Sequence, residues 1–117
     1  MSLAYKIRAL IVTSRLDAFD PLTPSYLCID ASAPIIALAD IAAPATRTTI
    51  DRERAMAILA AIRKGDALPP VEIDEPPDAT GRRYRLRNGF HRYHLSAALG
   101  FSHVPVVLRP YFSWNDL

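Results

Sequence analysis

Apolar and polar residues change period along this chain, and each change marks an element. Residues 3–12 alternate, with Tyr5, Ile7 and Ala9 set against Lys6 and Arg8, and this predicts a half-buried strand. Residues 13–34 are broken by Pro21, Pro24 and Pro34 with Asp and Ser between them. They predict a long ordered loop with a short strand at 26–29. Ile35-Ile36-Ala37-Leu38 is an apolar run of strand length that stops at Asp40.

The period then lengthens. Ala55, Ile58, Leu59 and Ile62 fall at i, i+3, i+4 and i+7, one stripe of an amphipathic helix over 50–64. Thr48 and Thr49 are candidate N-caps. Asp51 and Glu53 suit the positive end of the helix dipole, Arg63 and Lys64 the negative end, and Gly65 the stop. Pro69-Pro70 holds the backbone extended into Val71-Glu72-Ile73-Asp74, an alternating strand. A turn over 76–81 returns the chain as a second alternating strand, 83–88. Gly89 ends that strand and a helix follows from Phe90 to Leu99, closed by Gly100. Val104-Pro105-Val106-Val107-Leu108 is a last strand, whose proline fits only a strand start or an edge.

Composition narrows the class. With 117 residues, 50% hydrophobic and 22% charged, the chain is one domain rather than a disordered or fibrous polymer, and the strands and helices predicted above make that domain α+β. No apolar run reaches the roughly 20 residues that a membrane helix needs, and residues 1–10 offer no clean signal-peptide core. Cys28 is the sole cysteine, so an internal disulfide and a multi-cysteine zinc site are excluded, which favours a cytoplasmic setting. The net charge of +2 is too mild to imply a nucleic-acid partner.

The junction Asn88-Gly89-Phe90-His91-Arg92 is the first candidate for chemistry. A strand that passes through glycine into a helix leaves backbone N–H groups free at the positive end of the dipole, which is an anion site. Arg92 adds a guanidinium fork, His91 a switchable donor, and Gly89 room for close approach. A plain turn with Arg92 on the surface and His91 packed nearby satisfies the same spacing. Arg83, Arg85 and Arg87 share one face of their strand and could track a nucleic-acid backbone. Glu72, Asp74 and Glu75 on the partner strand favour cross-strand ion pairs instead. His91, His94 and His103 lack a partner at ligand spacing and do not read as a metal site. No nucleophile elbow or P-loop is present. The tail Tyr111-Phe112-Ser113-Trp114 is expected to pack on the core, the alternative being a patch for a partner or a homodimer.

These pieces resemble a known family. Asp40-Ile41, residues 44–47, the helix with Ile58, Leu59, Ile62 and Gly65, and Leu68-Pro69-Pro70-Val71-Glu72-Ile73 are similar to the ParB N-terminal domain. So are the run from Tyr84 to Arg92, then Ala97-Ala98-Leu99-Gly100 and Val104-Pro105-Val106. The resemblance is to the ParB/sulfiredoxin superfamily and covers about residues 35–109, leaving 1–34 as an N-terminal extension. It implies a small mixed sheet packed against two main helices, with a nucleotide or another phosphate ligand at the glycine turn. Carried over, Asn88, Gly89, His91 and Arg92 would form the phosphate site, and Arg47 would face the nucleotide.

Departures bear on function. Sulfiredoxins place a catalytic cysteine before His-Arg, and here Phe90 stands there, so sulfinic-acid repair is not expected. Partitioning ParB proteins read Gly-Glu-Arg-Arg at the turn and continue into a helix-turn-helix. Phe90 replaces that glutamate and no such signature follows, so centromere reading is not expected and DNA is a less favoured partner. The resulting expectation is a domain that binds a nucleotide, with Mg as its natural companion if phosphate esters are hydrolysed. The alternative is a non-catalytic interaction module that keeps the fold without the chemistry.

Overall fold

The computed structural model describes residues 2–77 and 81–111. Residues 3–12 are not a strand. They form helix α1 (Leu3–Thr13), capped by the Ser2 hydroxyl, which accepts from the Tyr5 N–H at 3.1 Å. The alternation around Tyr5 and Ile7 misleads because the buried positions are Ile7, Leu10 and Ile11, the i, i+3, i+4 set of a helix. Tyr5, the supposed inward residue, is exposed. The molecule thus has a third helix beside the two expected.

Strand β1 (Ile35–Ala37) leads through a single 3-10 turn, Leu38–Asp40, into β2 (Ile41–Ala42). Helix α2 spans Arg52–Lys64. Its N-cap is Asp51 rather than Thr48 or Thr49, with Asp51 Oδ1 accepting from the Arg54 N–H at 2.8 Å. Gly65 closes it in the left-handed conformation, as the sequence predicts. Then come β3 (Val71–Asp74), β4 (Tyr84–Asn88), α3 (Phe90–Leu99) and β5 (His103–Leu108). In the proline-rich loop the short strand at 26–29 shrinks to a single parallel bridge between Cys28 and Leu68.

The strands form one mixed sheet in the order β1-β5-β3-β4-β2. β5 pairs antiparallel with β1 and parallel with β3; β4 pairs antiparallel with β3 and parallel with β2. Pro105 therefore lies inside the sheet, on β5. It costs no ladder bond, because the β1 side is bonded through the Val106 N–H to Pro34 and the Leu38 N–H to Ser102, while pairing with β3 begins only at Val106. α3 packs on β3 and β5, and α1 and α2 pack on α3 and on each other. Ile7, Leu10 and Ile11 of α1 share one core with Leu59, Val71, Ile73, Leu95, Val104 and Val106. α1 is thus built into the same hydrophobic mass that holds α3 in place.

The arginine row at and before β4 is ion-paired, as the cross-strand reading predicts. Arg85 grips Asp74 through two bonds of 3.1 and 2.8 Å, and Arg87 adds a third at 2.8 Å. Arg83 pairs with Glu75, while Arg109 reaches Glu72 at 2.7 Å. Asp74 is wholly buried. Burial pushes its carboxyl up, but the bonds and charges of Arg85 and Arg87 outweigh that and hold it below the ordinary carboxylate range. Of the aromatic tail, Tyr111 lies 5.6 Å from the Arg85 guanidinium, and Phe112, Ser113 and Trp114 fall outside the described residues.

Candidate anion site between two helices

The site begins at the break between β4 and α3. Gly89 has φ +100°, a conformation open to glycine at no steric cost. A Cβ there would stand 2.6 Å from Val71 Cγ1, 2.9 Å from Val71 Cβ and 3.2 Å from Arg92 Nη2. The missing side chain therefore lets the turn lie directly on the start of β3 and on the Arg92 guanidinium. No side chain caps α3. The Gly89 N–H is taken by its neighbour Asn88, whose Oδ1 accepts it at 2.8 Å, and Asn88 Nδ2 donates to Glu72 at 2.9 Å. The first-turn N–H groups beyond Gly89 thus remain at the positive end of the helix without a side-chain acceptor.

In front of this turn is a cleft of about 340 Å³. Arg47, Asn88, Gly89, His91 and Arg92, the five positions singled out in the sequence, all line it. Sequence reasoning missed its far wall, which is Arg54, Ala57 and Ile58 of α2. Their i, i+3, i+4 spacing was visible, yet only the docking of α2 on α3 turns that edge toward the glycine turn. Arg47, Arg54 and Arg92 form no ion pair with any described carboxylate. Arg47 is instead seated on the ring of Phe90, its guanidinium carbon 4.1 Å from the ring centroid. Phe90 thus serves as the platform of a cleft arginine.

His91 is buried, and its Nε2 accepts from the Asp51 N–H at 2.8 Å. Burial lowers its pKa first, and the charges of Arg47 and Arg54 lower it further against the weaker pull of Asp51. The ring is therefore neutral at physiological pH. His94 is lowered by burial and then by His91 and Arg47. No group of His, Cys, Asp and Glu able to hold a metal ion occurs among the described residues. A second cavity of about 350 Å³ lies by the proline-rich loop, lined by Tyr26, Leu27, Cys28, Ile35 and Pro105 among others. It has no basic side chain and is lined by Asp30, which disfavours an anion.

α3 is held in register from its other side. Arg82 Nη1 donates to Ile41 O at 2.8 Å and to the Tyr93 hydroxyl at 3.2 Å, while that hydroxyl donates to Ile41 O at 3.0 Å. The first turn of α3 is thus held by contacts with β2, β3 and α2 together.

Solved structures of similar fold are known. The C-terminally truncated chromosome-partitioning protein ParB from Caulobacter crescentus, complexed with CTP-γ-S, superposes with a TM-score of 0.54 and 20% identity, covering 71% of this chain. The same protein complexed to the centromeric parS site gives a TM-score of 0.49 and 19% identity over 66% of this chain. This chain spans 47% and 38% of those two chains. The fold is ParB-like. No protein-family model and no curated protein sequence matches the chain. No described helix is long and apolar enough to cross a membrane.

Proposed function

We propose that this protein binds a nucleotide by its phosphates in the cleft between α2 and α3. One observation carries the reading: Arg47, Arg54 and Arg92 converge on the uncapped first turn of α3, and none of them is ion-paired with a described carboxylate. Three unpaired guanidiniums repel one another, and an anion that accepts from each removes that cost. The ParB-like fold supports the choice of ligand, since the C. crescentus ParB was solved with CTP-γ-S. Ala57 and Ile58 give the cleft a small apolar wall beside its cations, which suits a ligand with both phosphates and a less polar part.

No aspartate or glutamate lines the cleft among the described residues, so the reading is binding rather than hydrolysis. The donor set fits phosphates and not a bare divalent ion, so magnesium would arrive on the nucleotide. DNA gains no support from β4, whose arginines are occupied by Glu75 and Asp74. Calorimetric titration with CTP, ATP and GTP, with and without magnesium, tests the proposal. Binding by the native protein and much weaker binding by Arg92→Ala are expected. No heat from any nucleotide would leave the non-catalytic interaction module as the better reading.

A further inference from the structure

His91 stands where the family resemblance implies a phosphate contact, yet its one recorded hydrogen bond runs to the protein. Its Nε2 accepts the Asp51 N–H at 2.8 Å, and Asp51 Oδ1 accepts the Arg54 N–H at 2.8 Å. Both bonds meet on Asp51, so a continuous link joins the first turn of α3 to the first turn of α2. That second turn carries Arg54 into the cleft. We propose that His91 is a positioning residue, a neutral acceptor that fixes the start of α2 against α3 and thereby sets where Arg54 meets the ligand. The consequence for binding rests on the nucleotide reading above; the bond itself does not.

The chemistry fixes the state of the ring. A nitrogen that accepts carries no proton, so the ring is the Nδ1–H tautomer. Protonating Nε2 would set donor against donor and break the link. The charged and titratable groups facing the ring are Arg47 from the segment before α2, Asp51 and Arg54 from α2, and Arg92 and His94 from α3. Burial, and then the arginines, keep the link intact at neutral pH. The two roles then differ in sign. A histidine that contacts the anion directly gains a charge and a donor as pH falls, and affinity rises. A positioning histidine loses its link on protonation, and affinity falls.

Sulfate is the probe, because its charge is constant between about pH 5 and 8, the range in which histidine titrates. Its affinity is read from amide shifts in an NMR titration of the whole chain. Glutamine carries its amide oxygen near the place of Nε2, whereas asparagine mimics Nδ1. His91→Gln is therefore expected to bind sulfate as the native protein does at neutral pH and to lose the pH dependence. His91→Asn and His91→Ala should bind about tenfold more weakly. Affinity that rises in acid, or His91→Asn matching the native protein where His91→Gln does not, overturns the proposal.

A ligand-free measurement separates the two readings. Nitrogen-15 spectra of the native protein should show the Nδ1–H tautomer, and the Asp51 amide should exchange slowly in native and His91→Gln protein but fast in His91→Asn. An Nε2–H tautomer sinks the positioning role and leaves nucleotide binding standing. The expected tautomer with no sulfate or nucleotide binding at any pH sinks the nucleotide reading and leaves the bond standing.

Discussion

Substituting Gly89 by alanine tests how the turn is built, and its cost can be worked from two separate terms. At φ +100° an alanine sits in a left-handed conformation that costs about 1–2 kcal/mol. Its Cβ would also meet Val71 Cγ1 at 2.6 Å and Val71 Cβ at 2.9 Å. Val71 is fully buried and held between β4 and β5, so it cannot retreat, and overpacking of this kind costs about 1–3 kcal/mol. The lower entropy of an unfolded alanine returns about 0.4–1 kcal/mol. The net loss is about 1–4.6 kcal/mol, or a melting temperature lower by roughly 4–18 °C at about 4 °C per kcal/mol. Gly65→Ala is the control, since Gly65 has φ +78° and nothing within 4 Å of an added Cβ. It carries the backbone term alone. Thermal melts followed by circular dichroism, with urea titrations for the free energies, measure both. If the two variants lose the same stability within about 0.5 kcal/mol, the turn does not rest on Val71 and the stated reason for a glycine there is wrong.

Three further outcomes follow from the same geometry. Arg54→Ala should weaken nucleotide binding about tenfold in calorimetry while leaving the melting temperature within about 2 °C, because Arg54 is exposed and unpaired with any described carboxylate; unchanged affinity would remove α2 from the site. Phe90→Leu takes away the ring face beneath Arg47 and should cost about 0.5–1 kcal/mol of binding, read as a two- to fivefold higher Kd. Affinity equal to the native value would show that the seat of Arg47 is irrelevant. Asp74 is held below the ordinary carboxylate range in the folded protein, so in the interval beneath about pH 4 the unfolded chain binds more protons. Its contribution is complete above that value and is lost as pH falls through the lowered one. Asp74→Asn should therefore flatten the acid limb of the stability profile below about pH 4, and parallel profiles would contradict the buried ion pair.

Much of the fold was legible where local signals agreed. α3 was read at its true bounds because Gly89 and Gly100, both left-handed, bracket it. α2 was found from its apolar stripe and its closing Gly65, although Asp51 and not a threonine supplies the cap. Asp51 is selected by its Oδ1 reaching the Arg54 N–H and by its own N–H finding His91, and the second bond spans 40 residues of sequence. α1 was misread because five alternating residues imitate a strand, although Arg8 is exposed and Lys6 only half-buried on a helix whose buried face is Ile7, Leu10 and Ile11. The positions that decide it, Leu10 and Ile11, are adjacent, and adjacency breaks a period of two.

The site was half visible. A glycine between a strand and a helix is a local feature, and so is the arginine three residues later. Arg54 was not, because its place depends on how α2 docks. The function of His91 was legible only as a choice of roles, since nothing in a sequence says which hydrogen bond an imidazole nitrogen makes. The resemblance to ParB-like domains pointed to the correct fold at an identity of 20%, where pairwise similarity alone is uninformative.

Whether the cleft between α2 and α3 receives phosphates is answered by mapping amide shifts on adding CTP with magnesium. Saturable shifts concentrated at Gly89, Phe90, His91 and Arg92 are expected, extending to Arg47 and Arg54 and absent from Arg92→Ala. Shifts confined to the loop around Tyr26 and Cys28, or no shifts at all at millimolar CTP, would contradict phosphate binding in the cleft.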